Sequence, residues 1–276
     1  MVVGLAAAHA PPEEMPSHLR QRYTMGGSIA VDHLYVDEHT DGSAHYTFAN
    51  HDIEAMLATA RKMLNGSIPR LRQSQRHPTE AIRELQPTLI GAAAIVFGST
   101  EPWAECLLLA AGVNNVTTVD YNYLALDHPA MFTTTVAELA ADARYDVAVA
   151  VSSFDHDGLG RYGDPLHPEG DLLAMRTAWR ALRPGGLLIL SLPVGPDLIV
   201  WNLHRRYGPI RLPRMLEGWE LVSRFGWADE LLHTQSDHRI RVEPVHVLRK
   251  NSSEVDLPVD PPPRLPQPDK EDKEEV

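Results

Sequence analysis

The sequence predicts an α/β fold with a mostly parallel sheet, and three observations carry this prediction. From residue 91 onward, short apolar runs of strand length recur, beginning with AAAIVFG at 92–98. Segments with helical periodicity lie between these runs. Glycine or proline closes the helical segments, for example at Gly112 and at Pro184-Gly185-Gly186. This alternation of strands and helices is typical of a parallel α/β sheet, which we place at residues 91–250.

The elements of this domain are expected in a regular order. A turn and a helix ending at Gly112 follow the first strand, and the later strands are expected at 115–121, 131–136, 144–154, 187–195, 219–227 and 242–250. The helix before the 187–195 strand has one apolar face, formed by Leu172, Met175, Trp179 and Leu182. The arginines of this segment point away from that face: Arg176, Arg180 and Arg183. Such a pattern predicts a helix that packs one side against the sheet.

The rest of the chain divides into an extension and two terminal segments. In the extension, residues 23–90, two β-prone runs flank Asp41-Gly42, which predicts a hairpin. A helix is expected from Asn50 as N-cap to Asn65-Gly66, and a second helix around 79–85. Residues 1–22 are Pro-rich and aperiodic, and residues 251–276 are acidic and Pro-rich. We expect both terminal segments to be disordered.

The charge balance argues against two classes of partner. The 276 residues include 37 Asp and Glu against 25 Lys and Arg, for a net charge of −12 at pH 7. Nucleic acids and anionic membranes are bound through basic surfaces, so we expect neither as a partner. The expected partner is a small-molecule substrate, and the oligomeric state stays open.

Cysteine usage and hydropathy narrow the class further. The single cysteine, Cys106, excludes an internal disulfide framework and any multi-cysteine metal site. Apolar runs all fall short of the roughly 18–20 residues that span a bilayer. We expect a cytoplasmic protein. A faint likeness of MVVGLAAAHAPP to the end of a signal peptide makes the secretory-pathway lumen the alternative.

The first candidate site is the turn after the 92–98 strand. Gly98 precedes Asp120 by 22 residues, close to the interval between the first turn and the ribose-binding acid of a Rossmann-type unit. The turn has only one glycine and continues as Ser99, Thr100, Glu101 and Pro102. It therefore either binds a nucleoside cofactor or is a plain turn whose Ser and Thr cap the helix. Glu101 beside the helix N-terminus favours a cationic cofactor, S-adenosylmethionine, over a dinucleotide.

The second candidate site is the long polar loop SSFDHDGLGRYGDPLHPEGD after the 144–154 strand. Loops at the carboxyl ends of parallel strands form the site in such folds, and loops of this length are usually functional. His156, with Asp155 or Asp157 nearby, is a candidate general base. Two alternatives stay open: a metal site of His156, Asp164 and His167, or a structural ion pair between Arg161 and Asp164.

The third candidate site is the basic and aromatic segment at 195–213, just beyond the 187–195 strand. Its polar and aromatic side chains are Trp201, His204, Arg205, Arg206, Tyr207 and Arg211. In an acidic protein, such a segment suggests contact with a polar or anionic substrate. The alternative is a surface helix with solvated arginines.

These motifs, taken in order, carry a resemblance to a known family. The succession of strand–turn–helix, strand–Asp120, SSFDHDG and AWRALRPGGLLILSLPVG resembles the class I S-adenosylmethionine-dependent methyltransferases. More narrowly, VFGSTEPWAE, SSFDHDGLGRYGDPLHPEGD, LPVGPD and WNLHRRYGPIRLP closely resemble a branch of that superfamily known as a domain of unknown function. The resemblance covers about residues 90–225.

The resemblance implies a Rossmann-like sheet of seven strands whose last strand is antiparallel, with the cofactor over the first two strand ends. It implies that Gly98 and Ser99 lie by the methionine moiety, that Asp120 binds the ribose hydroxyls and that Tyr121 lies beside the adenine. Residues bordering methyl transfer would be Ser152, Ser153 and Asp155. The chain departs from the family pattern with Val96 in place of an acid, and with Thr100 and Pro102 in place of glycines.

The leading hypothesis is an S-adenosylmethionine-dependent methyltransferase that O-methylates a small polar acceptor, either sugar-like or an acidic metabolite. In it, His156 removes the acceptor proton, and Asp155 or Asp164 orients His156. The acceptor would be bound by Arg161, Tyr162, His204 and Arg205. Two alternatives are a methyltransferase-fold protein that binds or scaffolds without methyl transfer, and a metal-dependent lyase or hydrolase on the same fold.

Overall fold

The structure, a computed structural model, describes residues 10–38, 46–122, 124–234 and 242–251. Its helices are α1 (Ser17–Tyr23), α2 (Asn50–Leu64), α3 (Gln73–Leu89), α4 (Trp103–Ala110), α5 (Gly170–Ala181) and α6 (Leu212–Met215). Its first six strands are β1 (Ala30–His33), β2 (Tyr46–Phe48), β3 (Ala93–Phe97), β4 (Asn115–Asp120), β5 (Leu124–Leu126) and β6 (Met131–Thr135). The later strands are β7 (Tyr145–Val151), β8 (Leu182–Ser191), β9 (Leu198–Trp201), β10 (His204–Arg206), β11 (Trp219–Phe225) and β12 (Val245–Lys250).

The main sheet has seven strands in the order β11-β12-β8-β7-β3-β4-β6. Strands β8, β7, β3, β4 and β6 pair in parallel, whereas the last strand, β12, is antiparallel to both β8 and β11. The central part of this order, with β3 inside and later strands added on either side, is that of a doubly wound Rossmann-like sheet. The predicted Rossmann-like sheet of seven strands with an antiparallel last strand is confirmed.

Both faces of the sheet are covered, which explains why its strands read as continuous apolar runs. On β3, Ala94 and Val96 belong to a core shared with α2, α3 and α4, whereas Ile95 and Phe97 belong to a second core shared with α5 and α6. Because successive side chains of a strand point to opposite faces, a strand buried on both sides has no polar alternation.

The predicted hairpin in the extension is wrong. Strand β1 pairs in parallel with β9, which pairs with β10, and strand β2 pairs in parallel with β5. The two β-prone runs therefore have different partners far along the chain, where β1 shares an apolar cluster with Ile199 and Trp201. The expected turn at Asp41-Gly42 lies outside the described residues.

The disorder predicted for residues 1–22 is wrong for residues 17–22, which belong to α1. The final residue of this helix, Tyr23, is fully buried, and its hydroxyl donates a 2.5 Å hydrogen bond to the carbonyl of Gly158. Residues 1–9 and most of the predicted disordered tail, residues 252–276, lie outside the described part of the chain.

Three element boundaries also differ from the prediction. Helix α2 begins at Asn50 and has Ala49, not Asn50, as its N-cap, and α3 extends well beyond 79–85 in both directions. Strand β8 begins at Leu182, directly after α5, so Pro184-Gly185-Gly186 lies within a strand at a register shift against β7. Among the described helices, none has the length and hydropathy needed to cross a bilayer.

Candidate active site

A cavity of about 970 Å³ opens at the carboxyl ends of β3, β4 and β7. Its apolar wall is formed by the sheet residues Val96, Phe97, Val119, Val149 and Val151. Its polar wall includes the predicted site residues Gly98, Ser99, Glu101, Asp120, Tyr121, Ser153, His156 and Tyr162. The first two candidate segments of the sequence therefore meet in one crevice, as expected for loops that follow neighbouring parallel strands.

Gly98 is required by its backbone conformation and by its neighbour. Its φ is +70°, in the left-handed region that favours glycine. An added Cβ would overlap the Ser153 hydroxyl and lie 2.8 Å from the Ser153 Cβ. Ser152, with φ 49°, turns the chain at the end of β7 and precedes Ser153 directly. The ends of β3 and β7 are thus packed against each other at the floor of the cavity.

Asp120 connects the first turn to the end of β4. Its carboxylate accepts hydrogen bonds from the backbone amides of Ser99, at 3.0 Å, and Asn122, at 2.8 Å. Burial raises the pKa of Asp120, while these hydrogen bonds oppose the increase. Each carboxylate oxygen can accept a second hydrogen bond, so Asp120 retains acceptor capacity toward a ligand in the cavity.

The negative charge of Glu101 is already paired with a cation of the protein. Its carboxylate lies 3.1 Å from the guanidinium of Arg72, the residue before α3. This ion pair weakens the electrostatic argument that Glu101 favours a cationic cofactor. It also brings the extension to the rim of the cavity, which Arg72 lines.

His156 is buried at the cavity wall with both ring nitrogens near oxygen atoms. Nδ1 lies 2.6 Å from the carbonyl oxygen of Leu203, and Nε2 lies 3.4 Å from Oδ2 of the buried Asp155. Because a carbonyl only accepts, Nδ1 carries a proton, and the neutral ring then has its lone pair on Nε2. The carboxylate of Asp155 stabilises a proton that is taken up there.

Asp164, predicted as an alternative to Asp155 for orienting His156, has its carboxylate engaged within its own loop. Its carboxylate accepts hydrogen bonds from the backbone amides of Gly158, Gly160 and Tyr162, at 2.7, 2.9 and 3.2 Å. It therefore organises its own loop. The proposed ion pair of Asp164 with Arg161 is also wrong, since Arg161 pairs with Glu38 at 3.0 Å.

The metal alternative is contradicted for the described residues. No three His, Cys, Asp or Glu side chains in that part of the chain are grouped so as to hold a metal ion. The side chains of His156 and Asp164 are engaged as described above, and Nδ1 of His167 accepts a hydrogen bond from the Glu169 amide at 3.1 Å. These three residues are not a ligand set.

His204 and Arg205, predicted to bind the acceptor, are buried and do not line the cavity. Arg205 donates a 2.6 Å hydrogen bond to the carbonyl of Asp157 and a 3.3 Å bond to that of Pro168. Its Nε lies 3.8 Å from the carboxylate of Asp171. Arg205 therefore stabilises the conformation of the polar loop from outside the cavity. Arg161 also lies outside the lining of the cavity, whereas Tyr162 is part of it.

Asp171 is the buried carboxylate that lies next to both Arg205 and Arg211. Arg211 donates two hydrogen bonds to its carboxylate, from Nε at 2.8 Å and from Nη2 at 2.5 Å. Burial alone would raise the pKa of Asp171, but the charges of Arg205 and Arg211 lower it to about 2. The 195–213 segment is thus not a surface helix with solvated arginines, because β9 and β10 occupy much of it and two of its arginines, Arg205 and Arg211, are buried, while Arg206 is partly exposed.

Asp157, expected only as an alternative to Asp155 beside His156, lines the cavity itself. It lines the cavity together with Tyr121, which follows β4, and its charge, after burial, raises the pKa of the Tyr121 hydroxyl. Burial, followed by the charge of Asp164, raises the pKa of Asp157 well above its ordinary value. The concentration of acids in the loop was a visible signal, but the sequence does not show which acid faces the crevice.

Besides Arg72, three arginines of the cavity were missed as site residues: Arg176 and Arg180 on α5 and Arg214 on α6. Helical periodicity correctly turns the first two away from the apolar face of α5. That flank borders the cavity, a relationship that only the packing of α5 on the sheet reveals.

A comparison with protein families identifies residues 91–251 as matching the family described as "Caenorhabditis protein of unknown function, DUF268". This match covers more than half of the chain. No curated protein matches the chain significantly.

Solved structures show distant likeness. A Burkholderia thailandensis 1,6-didemethyltoxoflavin-N1-methyltransferase, with bound 1,6-didemethyltoxoflavin and S-adenosylhomocysteine, is 18% identical over 80% of this chain and 99% of its own, with a TM-score of 0.45. The N-methyltransferase NodS from Bradyrhizobium japonicum WM9 is 14% identical over 64% and 95%, with a TM-score of 0.42. An S-adenosylmethionine-dependent methyltransferase from Mesorhizobium loti is 13% identical over 63% and 98%, also at 0.42.

Proposed function

Because this chain belongs to the DUF268 family and its sheet is of the class I methyltransferase type, we propose that it is an S-adenosylmethionine-dependent methyltransferase. The acceptor in this proposal is a small polar molecule that is methylated on oxygen. The observation that carries the proposal is the hydrogen bond between Ser99 and Asp120 at the floor of one large crevice.

The residues of the crevice fit the cofactor. A volume of about 970 Å³ is at the upper end of the range for small-molecule sites and holds a nucleoside together with an acceptor. Asp120 would bind the ribose hydroxyls, and the first turn at Gly98 and Ser99 would lie against the methionine moiety. Val119 and Phe97 supply apolar wall for an adenine ring.

The cofactor, when bound, supplies a methyl group activated on a sulfonium centre. The work left to the protein is to hold the acceptor oxygen in line, exclude water and accept one proton. His156 is placed for the last task, since Leu203 fixes the proton on Nδ1 and leaves Nε2 as the acceptor. Asp155, 3.4 Å from Nε2, stabilises the imidazolium that results.

Calorimetry with S-adenosylmethionine and S-adenosylhomocysteine tests the proposal. We expect both to bind, with no requirement for a divalent metal, and we expect Asp120→Ala to weaken binding by about tenfold or more. The matched control is Asp142→Ala, because Asp142 is exposed and does not line the cavity. Absence of binding to the wild type at millimolar cofactor contradicts the proposal.

A second candidate is a protein of this fold that binds the cofactor without transferring its methyl group. The observation in its favour is the first turn, where Ser153 packs on the single glycine and leaves less backbone open to a ligand. Cofactor binding without release of S-adenosylhomocysteine, across neutral and charged acceptors, would favour this candidate.

A further inference from the structure

The charged residues that line the cavity differ in how they are compensated. The acids are engaged by the protein: Glu101 pairs with Arg72 at 3.1 Å, and Glu169 pairs with Arg22 at 2.6 Å. Asp120 accepts the backbone amide of Ser99. In the described part of the chain, three of the four acids that line the cavity are therefore engaged within the protein, and the fourth is Asp157.

The arginines on α5 are not compensated in this way. Arg176 and Arg180 line the cavity, and among the described residues neither forms an ion pair or a hydrogen bond through its side chain. Most other arginines around the polar loop have an acidic partner; Arg161 pairs with Glu38, and Arg211 with Asp171. Among the described residues, two guanidinium groups without an acidic partner thus line the cavity, that of Arg176 partly buried and that of Arg180 exposed.

Helix stability does not account for this pair. Residues i and i+4 are neighbours on one side of a helix, about 6 Å apart along its axis, and like charges at this spacing are unfavourable. The helix dipole favours a cation in the last turn, which applies to Arg180 but not to Arg176 in the middle of α5. Helical side chains also lean toward the N-terminus, which for α5 is the end at Gly170, beside the polar loop with His156.

We propose that Arg176 and Arg180 bind an oxyanion group of the methyl acceptor, either a phosphate ester or a carboxylate. This inference rests on the proposed function and names the class of its substrate. Arg214, on α6, lines the same cavity and adds a third positive charge. The site is then divided: the cofactor lies toward Asp120, and the charged end of the acceptor lies along α5.

The chemistry of the guanidinium group suits this task. It presents several N–H donors in a plane and binds carboxylate and phosphate oxygens with two parallel hydrogen bonds. Anchoring the acceptor at its charged end leaves a hydroxyl at the other end free to be positioned near His156. This arrangement converts binding energy at a remote group into orientation at the reacting oxygen.

The test uses simple anions, followed by the NMR signals of the arginine Nε–H groups. The full chain is titrated with inorganic phosphate, with malonate as the carboxylate probe and with glycerol as a neutral probe, in the presence and absence of S-adenosylhomocysteine. We expect phosphate or malonate, but not glycerol, to shift the signals of Arg176 and Arg180. The stronger of the two anions identifies which oxyanion the site takes.

Variants separate this site from general surface charge. We expect Arg176→Gln/Arg180→Gln to weaken anion binding by about tenfold or more. Arg176→Lys/Arg180→Lys should restore part of it, because charge remains while the planar fork is lost. The matched control, Arg61→Gln/Arg70→Gln, removes two exposed arginines that do not line the cavity and should bind anions as the wild type does.

Each outcome decides between the two proposals. Equal anion binding by the wild type and the Arg176→Gln/Arg180→Gln variant overturns this inference, as does binding no tighter than that of glycerol. If S-adenosylhomocysteine binds while the anions do not, only this inference fails. Specific anion binding without any binding of S-adenosylhomocysteine leaves the oxyanion site in place and contradicts the methyltransferase proposal instead.

Discussion

The backbone amide of Ser99 donates a 3.0 Å hydrogen bond to the carboxylate of Asp120. This contact joins the turn after β3 to the end of β4, the two strand ends over which a nucleoside lies in doubly wound sheets. It means that the first turn, although it has only one glycine, is held in a defined position by the acid expected to bind the ribose.

Substitution of Gly98 tests the packing at the floor of the cavity. We expect Gly98→Ala to destabilise the protein by about 1–3 kcal/mol and to weaken cofactor binding, because alanine is strained at φ +70° and its Cβ overlaps Ser153. Chemical denaturation measures the first effect and calorimetry the second. In a Ser153→Gly background the overlap is absent, so the same substitution should cost less there. An equal cost in both backgrounds would show that backbone strain alone is responsible.

We expect a large loss of stability when the buried contacts of Asp171 with Arg205 and Arg211 are disrupted. Asp171→Asn leaves the charges of Arg205 and Arg211 buried without their carboxylate partner, which should cost about 3–5 kcal/mol. Urea denaturation measures the loss. Glu220→Gln, which breaks the exposed pair with Arg249, is the control and should cost about 1 kcal/mol or less. Similar values for the two variants would contradict the assigned role of Asp171.

His246 predicts a pH dependence of stability. Burial, assisted by the charge of Arg224, lowers the pKa of this histidine to about 4. It stays neutral in the folded chain while the unfolded chain binds a proton below about pH 6.5. Stability is therefore complete above about pH 6.5 and falls by up to about 3 kcal/mol as the pH decreases to 4. In His246→Phe, which keeps a ring beside Trp227, this part of the pH dependence should vanish. Parallel curves of unfolding free energy against pH for the two proteins would show that His246 does not cause it.

The catalytic assignment of His156 predicts a separation of turnover from binding. His156→Ala should abolish methyl transfer and leave the affinity for S-adenosylhomocysteine within a few-fold of the wild type, since Asp120 and the first turn are unchanged. Asp155→Asn should reduce turnover less severely, because the base remains while its protonated form loses a carboxylate partner. Turnover by His156→Ala at the wild-type rate would remove His156 from the mechanism.

The main sheet, and the meeting of the loops after β3, β4 and β7 in one crevice, could be predicted from the sequence. Strands such as β3 are buried on both faces, so their apolar runs stand out, and the loops that follow neighbouring parallel strands must meet at one edge. The interval from Gly98 to Asp120 therefore located the floor of the cavity correctly.

The sequence did not predict where the long polar side chains lie or which groups they contact. Arg205 reads as a surface cation, but it is buried because Asp171 and several carbonyls, more than 30 residues away, compensate it. Asp164 reads as a catalytic acid, but it accepts amides of its own loop. The pairing of β1 with β9 likewise joins residues about 170 positions apart. Local periodicity carries no information on such distant partners.

Hydrogen–deuterium exchange with S-adenosylhomocysteine tests the central claim most directly, because it reports where the ligand binds. We expect slower exchange of the amides at Ser99–Glu101 and Asp120–Asn122, with no change in the distant strand β11. If these two segments show no protection, or if protection occurs only elsewhere in the chain, the cofactor does not bind beside the hydrogen bond between Ser99 and Asp120.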